Sequence, residues 1–77
     1  MRVLVKRDEY GTVEVFKISM VALVIDDIFK NAANYTDCGE EMTKQTAKNF
    51  LKKRGFLSFY EDGRDVQTYQ VDICEVK

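Results

Sequence analysis

The sequence predicts a small α+β domain of order ββααββ, and three observations carry that prediction. Valine-rich runs alternate apolar and polar residues on either side of Gly11. Two longer stretches repeat apolar residues at three- and four-residue spacing, and a second alternating pair flanks "EDGRD" late in the chain. Two β-hairpins, at about 2–7/12–17 and 56–61/66–75, would form an antiparallel sheet with helices at about 20–35 and 38/43–54 packed on one face. That arrangement buries every apolar stripe in two layers.

In the first hairpin, "RVLVK" puts Val3 and Val5 on one face and "TVEVFK" puts Val13 and Val15 on one face. Gly11 at positive φ would close the loop, with Val5 opposite Val13, Val3 opposite Val15, and all four valines toward the core. Leu4 and Phe16 then fall on the outer face. Ser19 offers a helix N-cap, and Val21, Val24, Ile25, Ile28, Phe29 and Ala32 form the apolar stripe of a first helix. The β-branched residues of "KISMVALVI" keep open the alternative that 18–25 prolongs the second strand.

The second helix has two possible starts. Asp37 with Glu40 three residues on reads as a capping box for a helix from 38, but Glu40 would then point at the buried side, which favours Thr43. Its buried side would be Thr43, Ala47, Phe50 and Leu51. Lys52, Lys53 and Arg54 suit the negative end of the helix dipole, and Gly55 is the expected left-handed stop. In the second hairpin, Leu57 and Phe59 alternate on one strand with Tyr69, Val71 and Ile73 on the other.

Seventy-seven residues, 45% hydrophobic and 32% charged, make a single globular domain at 1–77 with a thin core. The most apolar run, 18–25, is far below the roughly 20 residues of a membrane span. The expected setting is the cytoplasm, with Cys38 and Cys74 as free thiols and "NYT" at 34–36 a chance glycosylation match. With no histidine and no paired-cysteine spacing, neither a metal site nor a cofactor is expected. The carboxylate pairs Asp26/Asp27, Glu40/Glu41 and Glu61/Asp62 are adjacent in sequence and read as solvated surface, so catalysis is not expected.

Two patterns point instead to binding. The range 42–54 holds five basic residues and no acid, in a chain with 12 basic and 13 acidic residues. Lys44, Lys48 and Lys52 share one side of the helix. Followed by a hairpin carrying Arg64, this basic helix resembles locally the layout of a winged-helix DNA reader, which implies nucleic-acid contact through Lys44, Lys48, Lys52, Lys53 and Arg64. An acidic protein partner would use the same residues. Against nucleic acid stand a pI near 5.3, the acids Glu61, Asp62 and Asp65 around Arg64, and Glu40 and Glu41 one turn before Lys44.

The second pattern is apolar. Phe56 and Tyr60 alternate away from Leu57 and Phe59, Phe16 is assigned to the same outer face, and Leu23 stands among Asp26, Asp27 and Lys30. Apolar residues on the uncovered face of a sheet favour an interface. The leading expectation is a small non-enzymatic module acting through a protein partner or self-association at Phe16, Leu23, Phe56 and Tyr60, as an accessory, regulatory or inhibitory protein.

Overall fold

A computed structural model describes residues 1–32, 34–37, 40–61, 64 and 66–76. Its strands are β1 (Arg2–Asp8), β2 (Val13–Lys17), β3 (Tyr35–Asp37), β4 (Glu40–Met42), β5 (Phe56–Glu61) and β6 (Gln67–Glu75). A 3-10 turn, Ile18–Met20, leads into helix α1 (Val21–Phe29), and helix α2 (Lys44–Arg54) follows β4. The strands form one antiparallel sheet in the order β2-β1-β6-β5-β3-β4. Both helices bury their apolar stripes against one face of it.

The first and last strands are sheet neighbours, with registers running from Arg2 opposite Glu75 to Asp8 opposite Tyr69. This pairing sets the orientation of the first hairpin. Leu4 lies opposite Ile73 and beside Phe16, so both go under the helices, where Leu4 is fully buried and Phe16 packs on the core. The valines are therefore on the outside, the reverse of the expectation from alternation alone: Val13 and Val15 are 53% and 63% exposed. Period two says that a strand has two faces, but not which one is covered. The longer Leu4 and Phe16 fill the gap between sheet and helix, while valine is well suited to an uncovered pleat. Cross-strand partners also move by two residues, with Val5 opposite Val15 and Arg7 opposite Val13. Gly11 does take positive φ, at 85°, and the Asp8 carboxylate accepts from the backbone N–H groups of Tyr10 and Thr12 at 2.9 Å to fix the turn.

Helix α1 buries Val24, Ile25 and Ile28, as its stripe predicts, but Ser19 does not cap it and it ends at Phe29. The expected continuation to 35 gives way to a third hairpin, β3–β4, which also replaces the capping box at Asp37 and Glu40. Tyr35 explains the break. Its ring is fully buried as an edge-on partner of Phe29, Phe59 and Tyr69, at centroid distances of 5.3, 5.5 and 6.3 Å, and its hydroxyl donates to the Ile28 carbonyl at 3.0 Å. Strand geometry delivers that ring to the core directly beside Met42. Asn31 helps to close the helix by donating to the Asp27 carbonyl and to the Tyr69 hydroxyl.

Helix α2 starts at the later of its two expected positions. Thr43 is the N-cap, its hydroxyl accepting from the Thr46 N–H at 3.1 Å, and Thr43 itself is exposed. Cys38, the other candidate start, lies outside the described residues. Ala47 and Leu51 are buried, Phe50 is half-buried, and Gly55 ends the helix at φ 82° with its N–H on the Leu51 carbonyl. In the β5–β6 hairpin Leu57 pairs with Val71 and Phe59 with Tyr69, all toward the helices. An extra residue at Thr68 shifts the register before Tyr60 meets Gln67. Of the "EDGRD" turn only Glu61 and Arg64 are described.

The reversed first hairpin makes an expectation that alternation alone would invert. Leu4→Ala is expected to cost about 2–5 kcal/mol, whereas Val15→Thr stays within about 0.5 kcal/mol of the parent. Urea unfolding of both variants checks the two figures together.

Candidate interaction surfaces

Two surfaces compete, the uncovered sheet face and the basic side of α2. On the uncovered face the register aligns four rows of side chains. Lys17, Val3 and Cys74 form the first; Val15, Val5, Asp72 and Phe56 the second; Val13, Arg7, Gln70 and Ser58 the third. Gln67, Tyr60, Thr36 and Glu41 make the fourth. The face is thus apolar at its β1–β2 side, polar along β6, and aromatic again at β5.

The polar band is a connected chain of side chains. Gln67 donates to Gln70 at 2.7 Å, Gln70 donates to Asp72 at 3.1 Å, and Arg7 lies 3.6 Å from the other Asp72 oxygen. Ser58 joins it by donating to Gln70. A network with its members mutually satisfied holds those groups in fixed positions. Val15, Val13 and Phe56, 49% exposed, flank it without a helix above them.

The four expected interface residues do not meet in one place. Phe56 and Tyr60 stand on the uncovered face, Tyr60 half-buried. Phe16 is corrected to the helix side. There it shares a cleft of about 530 Å³ with Leu23, between the first hairpin and α1, whose rim carries Lys6, Glu14, Asp26 and Lys44. Leu23 is 61% exposed at this cleft. The valines of the first hairpin belong to the outer surface and were missed, because their alternation reads equally well as a core face.

The basic candidates also separate. Lys44 and Lys48 both reach Asp26 of α1, at 3.9 and 3.8 Å, so they bridge the two helices. Lys52 and Lys53 are exposed on the last turns and form no ion pair among the described residues. Arg64 is turned back onto the domain, donating to Glu9 at 2.9 Å and Glu61 at 3.2 Å; these hydrogen bonds, Glu9 first, hold its pKa above the ordinary arginine value. Arg54 leaves the stripe altogether, bound to Asp37 at 2.6 Å and stacked over Phe50.

Among the described residues, no group of three or more histidine, cysteine or acidic side chains stands close enough to hold a metal ion. Among those residues too, no helix is long and apolar enough to cross a membrane. No protein-family model matches the chain, and no curated protein or solved structure matches it at a significant level.

Beneath the sheet's outer rows, burial holds the Tyr35 phenol up to about 12 from its ordinary 10.0, with the neighbouring Tyr69 and Glu61 adding to the effect. A phenol is charged when deprotonated, so the unfolded chain releases this proton at lower pH than the folded one. The stabilisation is therefore complete below pH 10 and is lost as pH rises from 10 toward 12. Tyr35→Phe removes that portion of the alkaline loss and, by deleting the bond to Ile28, costs about 0.5–1.5 kcal/mol at neutral pH. Urea unfolding on both sides of pH 10, followed alongside tyrosinate absorbance, measures both effects.

Proposed function

We propose that the protein is a non-enzymatic binding module whose working surface is the uncovered sheet face. The observation that carries this reading is the outward-facing valine patch. Val13 and Val15 stand more than half exposed beside Val3 and Val5, while a helix-covered face was available to that hairpin. Contiguous apolar surface of this kind marks contact with another macromolecule more often than free solvent exposure. Phe56 and Tyr60 extend the patch across the polar band.

A protein partner suits this face because it must supply apolar cover to the valines and charge complementary to Arg7 and Asp72 in the band beside them. A second copy of the chain meets both requirements. Arg7 and Asp72 lie side by side, so a twofold axis can set each against its opposite on the other copy. The two larger dimensions of the molecule, 39 and 25 Å, leave room for the roughly 800 Å² per partner of a typical interface.

Nucleic-acid contact through the basic helix is the second reading and has weaker support. Lys44 and Lys48 share Asp26, and Arg64 is engaged by two carboxylates, which leaves Lys52 and Lys53 as the cations facing solvent. Such binding would weaken linearly in log affinity against log salt.

Sedimentation of the full chain is expected to give twice the monomer mass, largely independent of salt, and Val15→Lys is expected to return it to monomer while leaving unchanged the unfolding midpoint measured at dilutions where the parent is itself monomeric. A chain that stays monomeric at millimolar concentration removes self-association. Salt-sensitive binding of DNA or RNA that is lost in Lys52→Glu would favour the second reading instead.

A further inference from the structure

The cations of the described residues are unevenly provided with partners. Lys6 reaches Glu14 at 4.0 Å, Arg7 reaches Asp72, Lys44 and Lys48 share Asp26, and Arg54 and Arg64 hold Asp37 and Glu9. Arg2 and Lys52 enter no ion pair among the described residues, yet they line the same cleft. Lys48, its Asp26 contact stretched to 3.8 Å, lines it with them.

This cleft, about 270 Å³, opens on the helix side of the sheet, where the start of α1 and the end of α2 approach β1 and β6. Its remaining wall is apolar: Ile18, Val21, Leu51 and Ile73. Leu51 is a core residue, so the cleft reaches the edge of the core. Val21 is the first residue of α1, and neither α1 nor the 3-10 turn before it has a side-chain cap or an acidic residue in its first turn. The positive end of the α1 dipole thus adds to three cationic side chains where, among the described residues, no carboxylate lines the wall.

We propose that this cleft binds a small amphiphilic anion: a carboxylate or phosphate head held by Arg2, Lys48 and Lys52, with a short alkyl chain laid on Ile18, Val21, Leu51 and Ile73. Charge complementarity sets the head, because an anion restores partners to Arg2 and Lys52 through charge-assisted hydrogen bonds. Apolar burial sets the chain, and the volume keeps it short, since the cleft is at the small end of the roughly 300–1,000 Å³ of ordinary ligand pockets. The site is independent of the uncovered sheet face, being on the opposite side of the sheet from the valine rows.

The test titrates the full chain with hexanoate, hexyl phosphate, hexanol and inorganic phosphate, following methyl resonances by NMR. Hexanoate or hexyl phosphate is expected to bind saturably and to shift the signals of Ile18, Val21, Leu51 and Ile73, and the tighter of the two identifies the head group. Hexanol and inorganic phosphate are each expected to bind about tenfold more weakly or worse, because each lacks one of the two interactions. The double variant Arg2→Gln/Lys52→Gln, altered only at exposed side chains, is expected to lose about tenfold in affinity with an unchanged unfolding midpoint. Hexanol binding as well as hexanoate, phosphate binding as well as hexyl phosphate, shifts confined to other residues, or a double variant of parental affinity would each overturn the proposal.

Discussion

The pairing of β1 with β6 is the constraint on which the rest of the fold depends. It joins the two ends of the chain through seven register pairs and lies inside the sheet, between its second and third strands. Without it, β2–β1 and the β6-β5-β3-β4 group would be separate pieces, neither with enough apolar surface to stand alone. Because side chains alternate strictly, one register decision on β1 fixes both faces of β1 and β2. Setting Leu4 against Ile73 commits Leu4 and Phe16 to the helices and the four valines to the outside. The candidate interface is therefore a consequence of a contact made on the other side of the sheet.

A second contact organises the far half. Tyr35 brings together Phe29 from α1, Phe59 from β5 and Tyr69 from β6 in edge-to-face geometry. Such pairs contribute about 0.5–1.5 kcal/mol each beyond their buried area. In a domain with so thin a core this cluster outweighs one more turn of helix, whose backbone bonds are replaced in kind by the β3 ladder. Lys6 shows how far the thin core is stretched: its stem lies on the helix side while its ammonium sits 4.9 Å from the Tyr69 ring centre and 4.0 Å from Glu14.

The charges divide by role once their neighbours are known. Arg64, Lys44 and Lys48 look alike in the sequence as parts of one basic stretch, but Arg64 ties the two hairpin turns together through Glu9 and the two lysines tie α2 to Asp26 of α1. Arg2 and Lys52, fifty residues apart, face one cleft. Sequence proximity is a poor guide to electrostatic grouping because an ion pair forms wherever folding places opposite charges within about 4 Å.

What the sequence by itself determined is local. The α+β class, the Gly11 turn, the apolar stripes of both helices, the Gly55 stop of α2 with Thr43 as one of its two possible starts, and the inward set of the last hairpin all follow from periodicity and backbone preference, which act over a few residues. Phe56 and Tyr60 could be placed on the outer face for the same reason, since Leu57 and Phe59 leave one choice. Tertiary structure decided the β3–β4 hairpin, the sidedness of the valines, the removal of Phe16 to the helix face and the convergence of Arg2 with Lys52. Each depends on a partner distant in sequence: Phe59 and Tyr69 for Tyr35, Ile73 for Leu4, and α2 for Arg2. A strand whose two faces are both apolar enough to be buried carries no local signal for choosing between them, so the strand across the sheet chooses.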